Sequence, residues 1–531
     1  MNKKSFALSW GRKMFFGLGW ALTSVVALTY FQSMIIPQSA SSWMYVFTTF
    51  VGYYGVILSL VYFFLYCPVV ILFPKYYVSR IWSILLILAV NLGIFFDGYL
   101  FSRYRFHLNS FLWNFVADKN ALEAFGLSSI KLGLISFVTT VMFFVLWFRG
   151  ERLWRSMQAR FSNPVKNWYL VFVVLCFLAS QGMYLYGAAK GTSAIYRLSE
   201  LFPLNFPLIG KEVLKEQGVT SDLSSVKKMG YKDFYYSESV LNCPLRAPKN
   251  ILVIMLDKWS QDELNASSMP NVSHYGSHGL VFTNHYSGGM NKIDGYFSFL
   301  YSLSATYSSS VRNQSVAPVF LTQAKKKKMD VSFFQTGGMS PVTKYLPEEK
   351  EIFTDYIEAN LIQRNELLEA NPFMMHVFLE GGTLTDKDAQ VKRIIDLFLK
   401  YRQIKDTIIV LTGAYSDQLK TPFIMIWPGK KPATISKLTS HYDILPSIML
   451  EDWKCKNRAS DFSLGKNLFS KEETEQFVAA NDRTIKILDA KNETITTIEP
   501  YQGSVTVENG KRDVVSIMNS LNMLTRFYQR Q

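Results

Sequence analysis

Beyond Ala189 this chain of 531 residues contains no apolar run long enough to cross a bilayer, and the whole chain has only six histidines and four cysteines. The first absence confines membrane crossing to the first third. The second leaves few nitrogen and sulfur donors for a metal centre. Charge is also missing from the first inter-segment loop, about 37–42, whereas neighbouring loops are basic.

What the first third does contain is five long apolar stretches. A hydrocarbon core about 30 Å thick takes roughly 20 residues of helix. The expected segments run from about Met14 to Ile36, Trp43 to Phe73, Ile81 to Phe96, Ile130 to Phe148 and Trp168 to Ala188. Pro68 is expected to kink the second. The third is short and ends at Asp97, which reads as interfacial. The first is too long for a cleaved signal and reads as a retained anchor.

Lys75 and Arg80 follow the second segment, and Arg149, Arg152, Arg155, Arg160 and Lys166 follow the fourth. The third loop carries Arg103, Arg105 and Lys119, which weakens the contrast without reversing it. The positive-inside rule therefore places the N-terminus in the cytoplasm and everything after the fifth segment outside, in a bacterium the periplasm. The formal charge of +15 reads as topology and headgroup contact, and a domain held outside the cytoplasm argues against nucleic acid as a partner. Cys67 and Cys176 read as buried thiols. Cys243 and Cys455 both fall in the outer part, where a disulfide is permitted but not dictated. His107, in an aromatic stretch between the third and fourth segments, reads as a packing residue.

Residues 191–248 form a linker. Pro203 and Pro207 forbid regular helix around Phe202-Pro-Leu-Asn-Phe206-Pro, with a helix expected from near Lys211. Phe202, Phe206 and Ile209 beside Lys211 and Lys215 suit an amphiphile with acyl chains and phosphates. An anchoring strap is the other reading of the same strip.

From residue 249 onward the pattern is α/β. Asn250–Asp257 is a continuous apolar run ending in a carboxylate, as in a strand covered on both faces. Similar runs at Asp330–Phe334, Phe373–Leu379, Thr407–Leu411 and Phe423–Trp427 alternate with helical patterns, notably Ala389–Gln403. This predicts a layered fold with a largely parallel sheet, and places Asp257 at the strand ends where ligands gather.

The strings ILVIMLD, TIIVLTGAYSDQ, TPFIMIWPG and SHYDILPSIML, with GLVFTNHYSGGMNKIDGYFSFLYSLSATY, resemble the alkaline phosphatase/sulfatase superfamily. With five N-terminal helices, FHLNSFLWNFV and FPLNFPLIGKEVLKEQGV, the chain resembles the YejM/PbgA family of Gram-negative inner-membrane proteins. The resemblance implies a transmembrane helical bundle followed by a periplasmic α/β/α sandwich. It also implies sensing of lipopolysaccharide and restraint of lipid A synthesis through a cytoplasmic protease-adaptor partner.

Active members of the superfamily use a metal-activated nucleophile and divalent ions such as zinc, manganese or magnesium. Asp257 matches the first ligand. Lys292, in Gly289–Asp294, stands at the nucleophile's place, and Ala414 and Tyr415 stand where an Asp-His pair is expected. The pattern therefore reads as a degenerate site, comprising Asp257, Lys292, Asp294, Ala414 and Tyr415, with no catalytic residue, metal or cofactor. Lys292 or Lys258 is expected to neutralise Asp257, and His285 is the one stray candidate ligand.

The leading expectation is a non-catalytic sensor of lipopolysaccharide or anionic phospholipid. An enzyme would have to use Ser287 as nucleophile, with Asp257 and Asp294 as metal ligands, in a phosphatase or phosphoethanolamine-type transferase. A structural protein or lipid carrier is a third reading, although no intramembrane charge pair is legible. Where the family's strip has adjacent arginines, this chain has Lys211-Glu212, so bidentate phosphate contacts are not expected there.

Overall fold

A computed structural model describes residues 3–34, 37, 39–104, 107–108, 121–159, 168–189, 198, 201–203, 234–236, 241–244, 248–336, 352–353, 372–400, 403–481, 483–489, 494–499, 504–510 and 513–528. The chain divides into two compact units, Met1–Asp233 and Phe234–Gln531.

Helices α1 (Lys3–Gln32), α2 (Ala40–Leu72), α3 (Tyr76–Tyr104) and α4 (Ser129–Ala159) are each long and apolar enough to cross a membrane. Helix α5 (Trp168–Ala189) has 22 residues and occupies the fifth expected segment. Before Pro68, α2 passes through a π-helical stretch, Val61–Tyr66. Proline lacks the N–H that would continue the helical ladder, and wider hydrogen bonding absorbs the defect. Gly52 lets α2 touch α5, since a Cβ there would collide with the backbone nitrogen of Phe177.

Two charged residues depart from expectation. Asp97 lies inside α3, two turns from its end, and is 4% exposed. It accepts hydrogen bonds from Tyr30 Oη at 2.6 Å, His107 Nδ1 at 2.8 Å and the Leu108 amide at 2.5 Å. These donors satisfy the carboxylate, so the helix does not have to stop there. Arg80, expected in a loop, is likewise a buried residue of α3. Its guanidinium meets Glu151 of α4 at 2.5 Å and stacks 3.5 Å over the Trp147 ring. Charge pairs thus exist within the helical unit, invisible in the pattern because their members lie far apart in the chain. His107 is a packing residue as expected, stacked 4.3 Å from Phe101.

The second unit is built on an eight-stranded sheet, order β5-β4-β6-β1-β7-β8-β2-β9. Its centre is β1 (Asn250–Lys258) between β6 (Phe373–Leu379) and β7 (Thr407–Tyr415), all parallel. β4 (Asp330–Gln335) pairs parallel with β6, and β5 (Ile352–Phe353) with β4. β8 (Phe423–Ile426) runs antiparallel to both β7 and β2 (Leu280–Phe282), and β9 (Ala433–Ile435) closes the edge. The uniform burial of β1 and β6 follows from helices on both faces. Helix α6 (Lys292–Tyr301) begins at Lys292, and α7 (Leu384–Lys400) packs its apolar face beside β6.

A second sheet, four antiparallel strands spanning Gln476–Glu508, was not expected. Its strands β12 (Ile485–Asp489) and β13 (Thr494–Glu499) alternate buried and half-buried residues, a weaker pattern than the continuous runs of the main sheet. Cys243 and Cys455 form a disulfide across 212 positions.

Candidate functional site

The carboxyl ends of β1 and β7 carry Asp257, Ala414 and Tyr415, and Glu380 after β6 and Lys387 of α7, which the pattern did not single out, join the site. Asp257, at the end of β1, accepts from the Gly381 amide at 3.3 Å and forms an ion pair with Lys387 of α7. Lys292 does not reach it. It pairs instead with Glu380, the residue after β6. Lys258 points away and pairs with Asp417 at 2.6 Å. The expected neutralisation of Asp257 is therefore real, but its cation is Lys387. The reason is geometric: α7 starts directly behind β6, so its first turn faces the carboxyl end of β1. Lys387 lies just before the helix predicted from Ala389. A lysine in the first turn, where acidic residues are usual, was the available signal.

Asp294 lies in the first turn of α6 and accepts from the Asn291 side-chain amide at 2.7 Å. Ala414 is fully buried near the end of β7 and Tyr415 follows it, half-buried. Gly295 of α6 rests against the Ala414 carbonyl so closely that a Cβ would overlap it. Ser287 is also fully buried, and its hydroxyl donates to that carbonyl at 2.6 Å. Its oxygen also accepts from the Gly289 amide at 3.2 Å, and burial keeps it from solvent.

His285 is a core residue. It is fully buried, its ring lies 4.5 Å from Phe423, and Nδ1 meets Thr439 Oγ1 at 3.0 Å. Burial, with the nearby His441, pushes its pKa well below the ordinary value. His441 contacts Thr412 Oγ1 and Ser298 Oγ, each at 3.4 Å, and burial lowers it to about 4.

The divalent ions implied by the superfamily do not fit these residues. Asp257 and Glu380, each one residue past the last paired position of β1 and β6, are held by Lys387 and Lys292. Among the described residues no three His, Cys, Asp or Glu side chains converge to hold a metal.

Of the linker strip, only Phe202 lies within the described residues. It is 2% exposed and packs among Phe50, Tyr53 and Tyr54 of α2 at 6.2–6.4 Å. Its ring is therefore an anchor in the helical unit and not an exposed lipid contact. Phe206, Ile209, Lys211 and Lys215 lie outside the described residues.

Residues 1–247 match a family model described as a domain of unknown function, DUF3413. The inner membrane protein YejM of Salmonella typhimurium is 20% identical over 542 residues, covering 91% of this chain and 89% of that protein. The chain is similar to the YejM proteins over most of its length. An uncharacterized Haemophilus influenzae protein is 19% identical over 488 residues, 84% of this chain and 83% of its own length. The helices of this chain are long and apolar enough to cross a membrane several times, and its second unit is an α/β domain built on a mostly parallel sheet. Solved structures with similarity include an alkaline phosphatase superfamily protein from Vibrio parahaemolyticus (13% identity, TM-score 0.45, 55% of this chain and 89% of that one). Another is the lipoteichoic acid synthase LtaP of Listeria monocytogenes (12%, TM-score 0.41, 56% and 95%).

Proposed function

We propose that this chain is a non-catalytic sensor of lipopolysaccharide or anionic phospholipid at the periplasmic face of the inner membrane, regulating lipid A and outer-membrane homeostasis. The observation that carries the non-catalytic part is the pair of internal salts, Lys387–Asp257 and Lys292–Glu380, standing where a metal-bound reaction centre needs free carboxylates. Lys292, at the position where the resemblance places the nucleophile, is tied to Glu380.

Lipid recognition rests on the composition of the strip from Phe202 to Lys215. With Phe202 anchored in the helical unit, the cationic members Lys211 and Lys215 are the residues left to meet phosphates, as single point charges. On the cytoplasmic side, the basic segment Arg149–Lys166 is the surface offered to a protease-adaptor partner.

The test is native mass spectrometry of the full chain purified in mild detergent, beside a phosphate monoester assay. The expected result is co-purified lipopolysaccharide or anionic phospholipid, reduced by Lys211→Glu, without turnover. Lipid-free protein, or turnover abolished by Asp257→Ala, overturns the reading.

A further inference from the structure

Of the six histidines in the chain, four are engaged inside the protein. His285, His376 and His441 are fully buried, and His107 is stacked on Phe101 and bonded to Asp97. The other two, His274 and His278, are exposed and stand four positions apart. His274 belongs to the short helix Pro270–Gly276, and His278 to the turn that ends it. A spacing of four places side chains on one helix face, one above the other. The two ring centres are 4.9 Å apart, with the planes inclined by 63°.

The helix end is held in place. The Asn271 and Val272 amides donate to the buried carboxylate of Asp388 at 3.2 and 2.9 Å, and the Tyr275 hydroxyl donates to Asp396 at 3.1 Å. His278 Nδ1 lies 3.0 Å from the His274 carbonyl, to which the Ser277 hydroxyl also donates at 2.7 Å. A carbonyl oxygen only accepts, so Nδ1 carries the hydrogen and Nε2 of the neutral ring keeps its lone pair. Metal-binding imidazoles are oriented in this way, one nitrogen donating to the backbone and the other left for the ion.

We propose that His274 and His278 form a two-imidazole site for a transition-metal dication of the zinc or copper(II) class. Metal–nitrogen bonds of about 2.0–2.1 Å, meeting at about 90–109°, separate the centres of two shared imidazoles by about 4.5–5.2 Å. The observed separation falls within that interval. Imidazole donors select zinc and copper over magnesium and calcium, which take oxygen ligands. Among the described residues no third His, Cys, Asp or Glu converges on the pair, so water completes the coordination. The site is separate from the degenerate one. β2 starts two positions after His278 and, like β7, runs antiparallel to β8. The pair therefore stands at the amino end of the sheet, and Asp257 at the carboxyl end. The inference does not rest on lipid sensing.

The experiment uses the full chain in detergent, free of any histidine tag and stripped with a chelator. Zinc is titrated by calorimetry, and copper(II) is followed by electron paramagnetic resonance. One zinc per chain and a copper spectrum with two coordinated nitrogens are expected. Loss of an outer-shell partner alone typically weakens a site about 10–100-fold, so His274→Ala and His278→Ala should each weaken zinc at least about tenfold. Zinc should also raise the melting temperature of the wild type and leave that of His274→Ala unmoved. Should His278→Ala disturb the helix end that Nδ1 caps, His274→Ala carries the test, because the His274 ring takes no part in that cap. No zinc uptake by the wild type, unchanged uptake in His274→Ala, or displacement of zinc by equimolar calcium overturns the proposal.

Discussion

Lys387, in the first turn of α7, forms an ion pair with Asp257 at the end of β1, 130 positions earlier in the chain. Its side chain is 7% exposed and that of Asp257 is 20%. The pair joins a helix to the central strand of the sheet, and this determines what mutation does.

Removing one partner of a largely buried pair leaves the other charge without compensation. Lys387→Ala should therefore lower stability by about 2–3 kcal/mol, below the full buried-pair cost because Asp257 keeps some water. The exposed Lys258–Asp417 pair should show no measurable effect when Lys258 is replaced. Thermal unfolding of both variants checks this, and equal shifts would refute the ranking.

The Cys243–Cys455 disulfide closes a loop of 212 positions. Restricting so long a loop in the unfolded chain stabilises the fold by about 2–4 kcal/mol. Reduction, or Cys455→Ser, should lower the melting temperature of the second unit. A reductant-insensitive transition would count against a structural role.

Acid sensitivity should come from buried histidines. Burial lowers His376 to about 3 and His441 to about 4, and His285 also lies well below 6.5. Between about 6.5 and 4 the unfolded chain binds protons that the folded chain refuses, so stability falls as pH falls through that window. Asp443 acts oppositely: burial raises it to about 6, and it favours the fold below that value. Three histidines outweigh one carboxyl. His376 has no hydrogen-bond partner among the described residues, so His376→Phe should flatten the acid loss while costing little at neutral pH. A pH series of melting curves for both proteins decides.

Asp97 is the acceptor for three donors within the helical unit. Asp97→Leu removes the acceptor shared by Tyr30, His107 and the Leu108 amide and should cost about 1–3 kcal/mol, while the Tyr30 hydroxyl keeps the Ile94 carbonyl at 3.2 Å. Asp97→Asn keeps an acceptor oxygen and should be milder. Detergent-solubilised unfolding temperatures should rank wild type above Asp97→Asn above Asp97→Leu.

Much of the architecture is determined by local chemistry. Lipid-length apolar runs become helices because every backbone group in a bilayer must be satisfied within its own segment. Continuous apolar runs such as Asn250–Asp257 become central strands because only a covered sheet buries both faces.

Only the tertiary structure decided which charges meet. Lys292 and Lys258 were the cations expected beside Asp257, and helix placement gave Asp257 to Lys387, Glu380 to Lys292 and Asp417 to Lys258. Asp97 read as interfacial until Tyr30 and His107 were found around it, and Phe202 read as a lipid contact until it was found among aromatic rings. Burial and pairing are properties of neighbours brought from far along the chain, and a sequence pattern records only the residues at its own spacing.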